Sequence, residues 1–351
     1  MNPLRRDLLV PVVAALVAVV VVAIVSWRGG SPPDTADTVR LIPPSTPDTT
    51  SVEASPATTV PEPATPPTLV VTPGDDLTGL AASQPPGTTF VLAPGIHRSE
   101  SITPRDAQTF IGRPGTVLSG AVILRGFDQR DDLWLIRGQT AEGRVHGECV
   151  SGMSRCVHSE ELFIDDRRLT HVGSVSQVGP GGWFFDYPND TIYVGENPVG
   201  RVVELSVLPY AFRGDADGVA IRDLVIEKYA VAAQEGAIDS RRDNEDLVGG
   251  RDWVISGNVV RWNHGVGIAS TTGAVVEQNV VYENGQLGLA AKGDGVTITG
   301  NEVYGNNAAG FSAGWEAGGS KFAYTSGLQV TDNYVHDNNG PGLWTDIDNI
   351  D

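Results

Sequence analysis

Basic residues are scarce in this chain of 351 residues: 24 Lys and Arg face 43 Asp and Glu, for a formal net charge of -19. A nucleic acid or an anionic membrane surface needs a basic footprint, so neither is an expected partner. A polyanionic substrate would need a local basic patch or a bridging cation. Sulfur is scarcer still, with 2 Cys and 2 Met. Cys149 and Cys156 in "CVSGMSRC" cannot supply the four ligands of a structural zinc site. In an exported chain so close a pair reads as a local disulfide, with two buried free thiols as the alternative. Helix signals are few beyond the first part of the body, and His146, His158 and His171 have no ligand spacing. What is plentiful is glycine, at 42 residues, with an ordinary apolar content of 40%.

The N-terminus carries one long apolar run. "LLVPVVAALVAVVVVAIVSW", Leu8 to Trp27, has no charge and about the 20 residues that span roughly 30 Å of hydrocarbon. Arg5 and Arg6 precede it and only Arg28 directly follows, which places the N-terminus in the cytoplasm. "SWRGGSPP" is a poor cleavage site. The expectation for residues 1–28 is therefore a single-pass signal anchor rather than a cleaved signal peptide, with the remainder extracytoplasmic. Residues 29–68 are rich in Pro and Thr and lack hydrophobic periodicity. Such a linker stays extended and, at about 3.1 Å per residue, reaches on the order of 100 Å.

The body opens with "DDLTGLAASQPPGTTFVLAPGIHR". Leu77, Leu80 and Ala81 predict one short amphipathic helix, and "TTFVLAPG" and "TFIGRPGTVLSGAVIL" predict strands with glycine turns. Further on, four segments stack on one another: "WVISGNVVRWNHGVGIAS", "AVVEQNVVYENGQLGLAA", "VTITGNEVYGNNAAGFSA" and "LQVTDNYVHDNNGPGLWT". Each has an anchor asparagine (Asn258, Asn279, Asn301, Asn333), a second asparagine (Asn263, Asn284, Asn306, Asn338) and a glycine (Gly267, Gly288, Gly310, Gly342) in step. The anchors are spaced by 21, 22 and 32 residues. A period of about 21 residues made of short strands and turns is the signature of a parallel β-solenoid. Alternation around Asn301 points Val296, Ile298, Val303 and Phe311 inward and Thr297, Thr299, Glu302, Tyr304 and Ser312 outward. The asparagines are read as structural: their amides can bond the coils above and below, roughly 4.8 Å away. In an earlier coil, Val219 to Ile238, Leu224 takes the asparagine's place. Residues 69–126 form the cap and first coils, and 214–351 the regular coils. Between them, 127–213 reads as antiparallel strands joined by Asp/Asn/Gly turns, a small β subdomain.

The coil pattern x-V-x-I-x-x-N-x-V-x-x-N-x-x-x-G-[IL], with the entry segment and capping helix, resembles the right-handed parallel β-helix proteins of the pectate-lyase-like superfamily over about residues 69–351. The fold class expected is therefore all-β, a right-handed parallel β-helix with a β insertion, preceded by one transmembrane helix and the linker. No lyase- or hydrolase-specific signature is present, and this architecture hosts many activities. The resemblance implies a coil order PB1, T1, PB2, T2, PB3, T3, with the anchor asparagine in T2 and any substrate groove over PB1. On that reading two T1 loops are enlarged, one after Ile238 ("DSRRDNEDLVGGRD") and one after Ala313, containing "WEAGGSKF". They are walls of a groove, or insertions that a surface loop tolerates.

The outward PB1 positions are then Asp239, Ala269, Thr271, Ala290, Lys292, Ser312, Gly314, Trp344 and Asp346. Trp315 and Trp344 suit sugar rings, with Lys292 and Asp239 as further substrate contacts, although either tryptophan also suits a loop anchor. Glu316, Asp346 and Asp348 are candidate ligands for calcium, which takes 6 to 8 oxygens, or belong to a solvated acidic edge. Two chemistries compete on Glu316, Lys321 and Asp346. A polysaccharide lyase would use Lys321 or Lys292 as base with calcium on the carboxylates. A glycoside hydrolase would use Glu316 and Asp346 as paired carboxylates roughly 5 to 9.5 Å apart. The expected function is thus binding or modification of a polysaccharide or cell-envelope glycan, against a non-catalytic role in adhesion or envelope structure. Tyr282, Tyr304 and His336 line up outward from PB3, and His264 is expected to be exposed in T3. The chain stops at "GLWTDIDNID" without a capping element, so further coils are expected to complete the groove.

Overall fold

The computed structural model describes residues 65–242 and 249–350. The predicted span Leu8–Trp27, nearly all of the linker, and part of the loop after Ile238 lie outside them. Among the described residues no helix is long and apolar enough to cross a membrane. The architecture of the described residues is accordingly corrected to a β-solenoid with a β insertion, and the expected single-pass topology finds no spanning helix among them.

Each coil contributes short strands to parallel sheets. PB2 runs from Thr68–Val71 through Val254–Ser256, Val275–Glu277 and Thr297–Thr299 to Gln329–Thr331, and PB3 from Gly95–Arg98 through Val259–Arg261, Val280–Tyr282 and Glu302–Tyr304 to Tyr334–His336. PB1 comprises Phe212–Arg213, Gly236–Asp239, Val266–Ser270, Leu287–Asp294 and Gly318–Ser326. Alternation decides what is buried. Ile221, Ile255, Val276 and Ile298 stack under PB2, and Ile226, Val260, Val281 and Val303 under PB3. Each such side chain contributes about 1.5–3 kcal/mol of apolar burial. The predicted helix is present at Leu77–Ser83; Asp76 caps it by accepting from Gly79 N at 2.8 Å, and Leu77 and Ala81 are buried.

Two asparagine ladders run along the coils. Asn258, Asn279 and Asn301 each donate Nδ2 to the Oδ1 of the next anchor at 3.0, 3.0 and 2.9 Å. The second row repeats this from Asn263 to Asn338 at 3.0, 3.1 and 2.9 Å. A buried amide is tolerated because every coil offers it the same partners. The row extends backward as expected: Leu224 N donates to Asn258 Oδ1 at 3.1 Å.

The glycine row is different. Gly288 is neighboured by Gly319, not Gly310, and Gly319 in turn by Gly342. A Cβ at Gly319 would lie 2.5 Å from Gly342 O, so the crowded position requires glycine. "GFSA" is therefore not a PB1 strand. The surplus residues of that coil precede PB1, in T3, and the predicted T1 enlargement there is corrected. Phe311 is buried, yet outside the solenoid core, packed with Cys156, Ala233 and Ala317. Ser312 and Gly314 leave the PB1 face, Ser312 preceding a single helical turn, Ala313–Glu316.

The insertion occupies T3 of an earlier coil. It departs after Thr116–Ser119 and the solenoid resumes at Phe212–Arg213. It starts slightly earlier than predicted, since Ala121–Leu124 already pairs antiparallel with Val203–Ser206. Its own core includes Leu162, Trp183, Phe185, Ile192 and Val194. Cys149 and Cys156 form a disulfide. Cys149 bridges antiparallel to Phe311, and Ser312 N donates to Glu148 O at 2.7 Å. The two enlarged T3 turns thus meet, on the same edge of the solenoid.

Candidate functional site

PB1 register places Asp239, Ala269, Ala290 and Lys321 in one row across the strands. The small side chain of Ala290 leaves a hollow over this face. A cavity of ≈ 530 Å³ fills it, lined among others by Gln234, Arg241, Lys292, Glu316, Lys321 and Asp346. The strand Gly318–Ser326 carries one residue more than its neighbour here, with Tyr324 at φ 55, a bulge at the cavity wall.

Lys321 is the centre of the arrangement. Its Nζ lies 3.1 Å from Glu316 Oε2 and 2.9 Å from Asp346 Oδ2, and 5.0 Å from the Trp344 ring centroid. The two carboxylate oxygens are therefore at most about 6 Å apart, the sum of those distances, a limit that admits the roughly 5–5.5 Å spacing of retaining glycosidases and lies below the wider spacing of inverting ones. Burial works against the Lys321 charge, but the bond to Asp346 and the charge of Glu316 outweigh it and hold the amine above the usual lysine range. A lysine so held is a poor base, which removes it from the role first expected of it. Lys292 goes the other way. Burial, then the neighbouring Arg241, and to a smaller degree Lys321, pull its amine below the usual range, against the opposing pull of Glu316 and Asp239.

Asp239, read as a substrate contact, is fully buried. It receives Arg241 Nε and Nη2 at 2.8 and 2.9 Å, together with Gly236 N and Arg241 N. Trp315 is a loop anchor: its ring packs 5.4 Å from His146 and 6.1 Å from Phe311. Asp348 is exposed and does not line the cavity. Among the described residues no group of three or more His, Cys, Asp or Glu stands close enough to hold a metal ion. The Lys321 ammonium sits where calcium was expected between Glu316 and Asp346, so these side chains do not fit the ion.

Sequence reasoning missed the residues that hold Glu316. Gln234 Nε2 donates to Glu316 Oε2 at 2.5 Å, and Gln286 Nε2 donates to the Glu316 carbonyl at 2.7 Å. Gln286 had a signal: it stands where the preceding coil has Gly265, whose carbonyl accepts its N–H. Gln234 had none, because its coil lacks the asparagine pattern.

Elsewhere, expectations divide. Tyr282, Tyr304 and His336 do form an outward stack on PB3, with centroids 4.9 and 5.1 Å apart. The rings face one another, so their faces are not open to a sugar. His264, expected in solvent, is 2% exposed. Its Nδ1 meets Glu161 Oε1 at 2.8 Å and its Nε2 the Cys156 carbonyl at 2.7 Å, because the insertion covers that turn. A second cavity of ≈ 390 Å³ lies beside it, lined by His158, Glu160, Glu161, Arg168 and His171 among others.

Parallel sheets, stacked coils and in-register ladders give this chain the fold of a parallel β-helix, and residues 247–351 match the family description "Right handed beta helix region". Among solved structures it is similar to "The complex structure of XylC with xylose", at TM-score 0.64 and 14% identity, over 78% of this chain and 57% of that one. The chain thus spans little more than half the length of that protein. Matches to a "Glycoside hydrolase" (TM-score 0.28, 9% identity, 75% of this chain and 89% of that one) and to the Azotobacter vinelandii mannuronan C-5 epimerase AlgE4 A-module (0.34, 12%, 78% and 70%) are too loose to argue from. No curated protein matches the sequence. At such identities the likeness is one of fold.

Proposed function

We propose that the PB1 groove binds a polysaccharide and hydrolyses a glycosidic bond. The observation that carries this reading is the convergence of Glu316 and Asp346 on one ammonium in the floor of the groove. Paired carboxylates at such a spacing serve as nucleophile and as acid and base in turn. Asp346, whose side chain is 33% exposed against 15% for Glu316, is assigned the attacking role. Glu316, clamped by Gln234 and Gln286, is assigned proton transfer. Lys321 sets their separation and offsets their mutual repulsion. Trp344, beneath Lys321, presents an apolar surface at the edge of the site, and the binding of xylose by the XylC protein supports a saccharide as the class of ligand.

A second reading rests on Lys292. Its depressed amine suits proton abstraction next to a uronate carboxyl, followed by elimination. A polysaccharide screen separates the two. Hydrolysis releases reducing ends without new ultraviolet absorbance, and falls about 10²–10⁴-fold in Glu316→Gln or Asp346→Asn. Absorbing, unsaturated ends that disappear in Lys292→Ala would replace hydrolysis by elimination. Binding without either product would leave a non-catalytic glycan receptor and overturn catalysis.

A further inference from the structure

The proposed hydrolytic site leaves unexplained why the disulfide loop of the insertion reaches it. We infer that this loop, through His146, is the positioning device for Glu316, and that the Cys149–Cys156 disulfide keeps it in place. The inference rests on the functional reading above only for its kinetic consequence.

Gln234 is the hub. Its backbone N donates to Gln286 Oε1 at 2.6 Å, and its carbonyl accepts from Arg241 Nη2 at 2.9 Å. Its side chain bridges two elements far apart in sequence: Nε2 donates to Glu316 Oε2, while Oε1 meets His146 Nε2 at 2.9 Å. Since the amide nitrogen faces the carboxylate, Oε1 is the acceptor and His146 donates through Nε2–H. Gln234 also has φ 68, a left-handed conformation that a non-glycine residue keeps only where its surroundings over-determine it. Arg144, on the same loop, reaches the adjacent Glu235 at 3.4 Å, so the loop grips two consecutive residues.

The loop is itself anchored to the element it positions. The Cys149 bridge to Phe311 and the bonds from Ser312 N to Glu148 O and Val150 N to Gly310 O tie it to the T3 turn that ends at Glu316. His146 N donates to Val157 O at 3.1 Å, closing the loop base beside Cys156. Opening the disulfide removes the covalent tie between this segment, at Cys149, and Cys156, and so loosens both contacts to Glu316, through Gln234 and through Ser312.

The test uses the full chain with isotope-labelled glutamine, the Gln234 side-chain amide signals being assigned by their loss in Gln234→Leu. In the oxidised wild type they should stand apart from those of exposed glutamines. His146→Ala should move them to exposed-amide positions, His146→Gln, which keeps an N–H donor, should not, and reducing the wild-type disulfide should act like His146→Ala. Signals unmoved by both His146→Ala and reduction overturn the inference; if His146→Ala does not fold, the reduced wild type alone decides. On a glycan that the chain cleaves, His146→Ala should lower kcat about tenfold with KM unchanged, as expected of a displaced carboxylate. Full activity in Glu316→Gln would sink the hydrolytic reading while leaving the amide result to judge the positioning.

Discussion

The two edges of the PB3 sheet contrast sharply. Along T2, each turn repeats the last: one asparagine, the same pair of bonds, the same spacing. T3 opens on the second asparagine of each coil, with the same bonds, but beyond it successive turns differ, and two of them are enlarged into the insertion and the Asn307–Ala317 loop. The first edge repeats the bonds between coils without an interruption like those of T3. The second gathers Gln234, Gln286, Glu316 and His146 from separate coils and the insertion into one cluster. A solenoid divides the work this way because stacked turns are equivalent only if they are identical. Any turn freed from that constraint is free to carry a site.

The comparison breaks most severely at the ladder. Asn279→Leu strands the bonds that Asn279 makes to Asn301 and Ile255 and accepts from Asn258, all buried. The expected loss is about 3–5 kcal/mol of stability, from several unsatisfied groups at ~1–3 kcal/mol each, read as a lower thermal midpoint. Activity per folded molecule should not change; a selective loss of activity would make T2 part of the site. Glu316→Gln should do the reverse, costing about 10²–10⁴-fold in glycan cleavage while the thermal midpoint stays within a few degrees of wild type.

Acid should act on the T3 edge before it acts on T2. Burial, then Arg155 and His264, lower the His158 imidazole to about 4 from 6.5, and His171 nearby is lowered as well, by burial first. Histidines whose folded pKa is depressed protonate in the unfolded chain first. Stability is thus complete above 6.5 and declines as the pH falls toward about 4. Thermal midpoints measured across that window should fall, and less steeply in His158→Gln; parallel slopes would refute the assignment.

Smaller effects sharpen the contrast further. Tyr304→Ala, in the PB3 stack, should cost about 0.5–1.5 kcal/mol and leave glycan binding unchanged, because its ring faces are already covered. Smallest of all is the effect of chelation. With Lys321 between Glu316 and Asp346, removing calcium should alter neither the melting curve nor glycan binding; a chelator-sensitive affinity would restore the calcium reading of these carboxylates.

Much of this was legible in the residues. The asparagine rows, the inward Val and Ile positions, the helix at Leu77–Ser83 and the disulfide all follow from local chemistry repeated at a fixed period. Glu316, Lys321 and Asp346 stand out together in the sequence, although the turn that brings them together is not the one its spacing points to. Gly310-Phe311 imitates the Gly-Leu that opens a PB1 strand, so the surplus was assigned to the turn after it. Gly319 is the residue in the crowded row, and the surplus belongs before it. Nothing in the spacing distinguishes the two glycine sites, since the distinction lies in how near the next coil's carbonyl comes.

By itself, then, the amino-acid order determined a stack of parallel coils, which faces of each strand are buried, and where along the chain the repeat is interrupted. Periodic patterning carries that information because each residue needs only its counterpart one coil away. The tertiary structure alone decided what the interruptions do. Gln234 meets Glu316 across 82 residues and His146 across 88, distances in sequence that no period spans. Those contacts exist because two unlike insertions leave the solenoid on the same edge and pack against each other there.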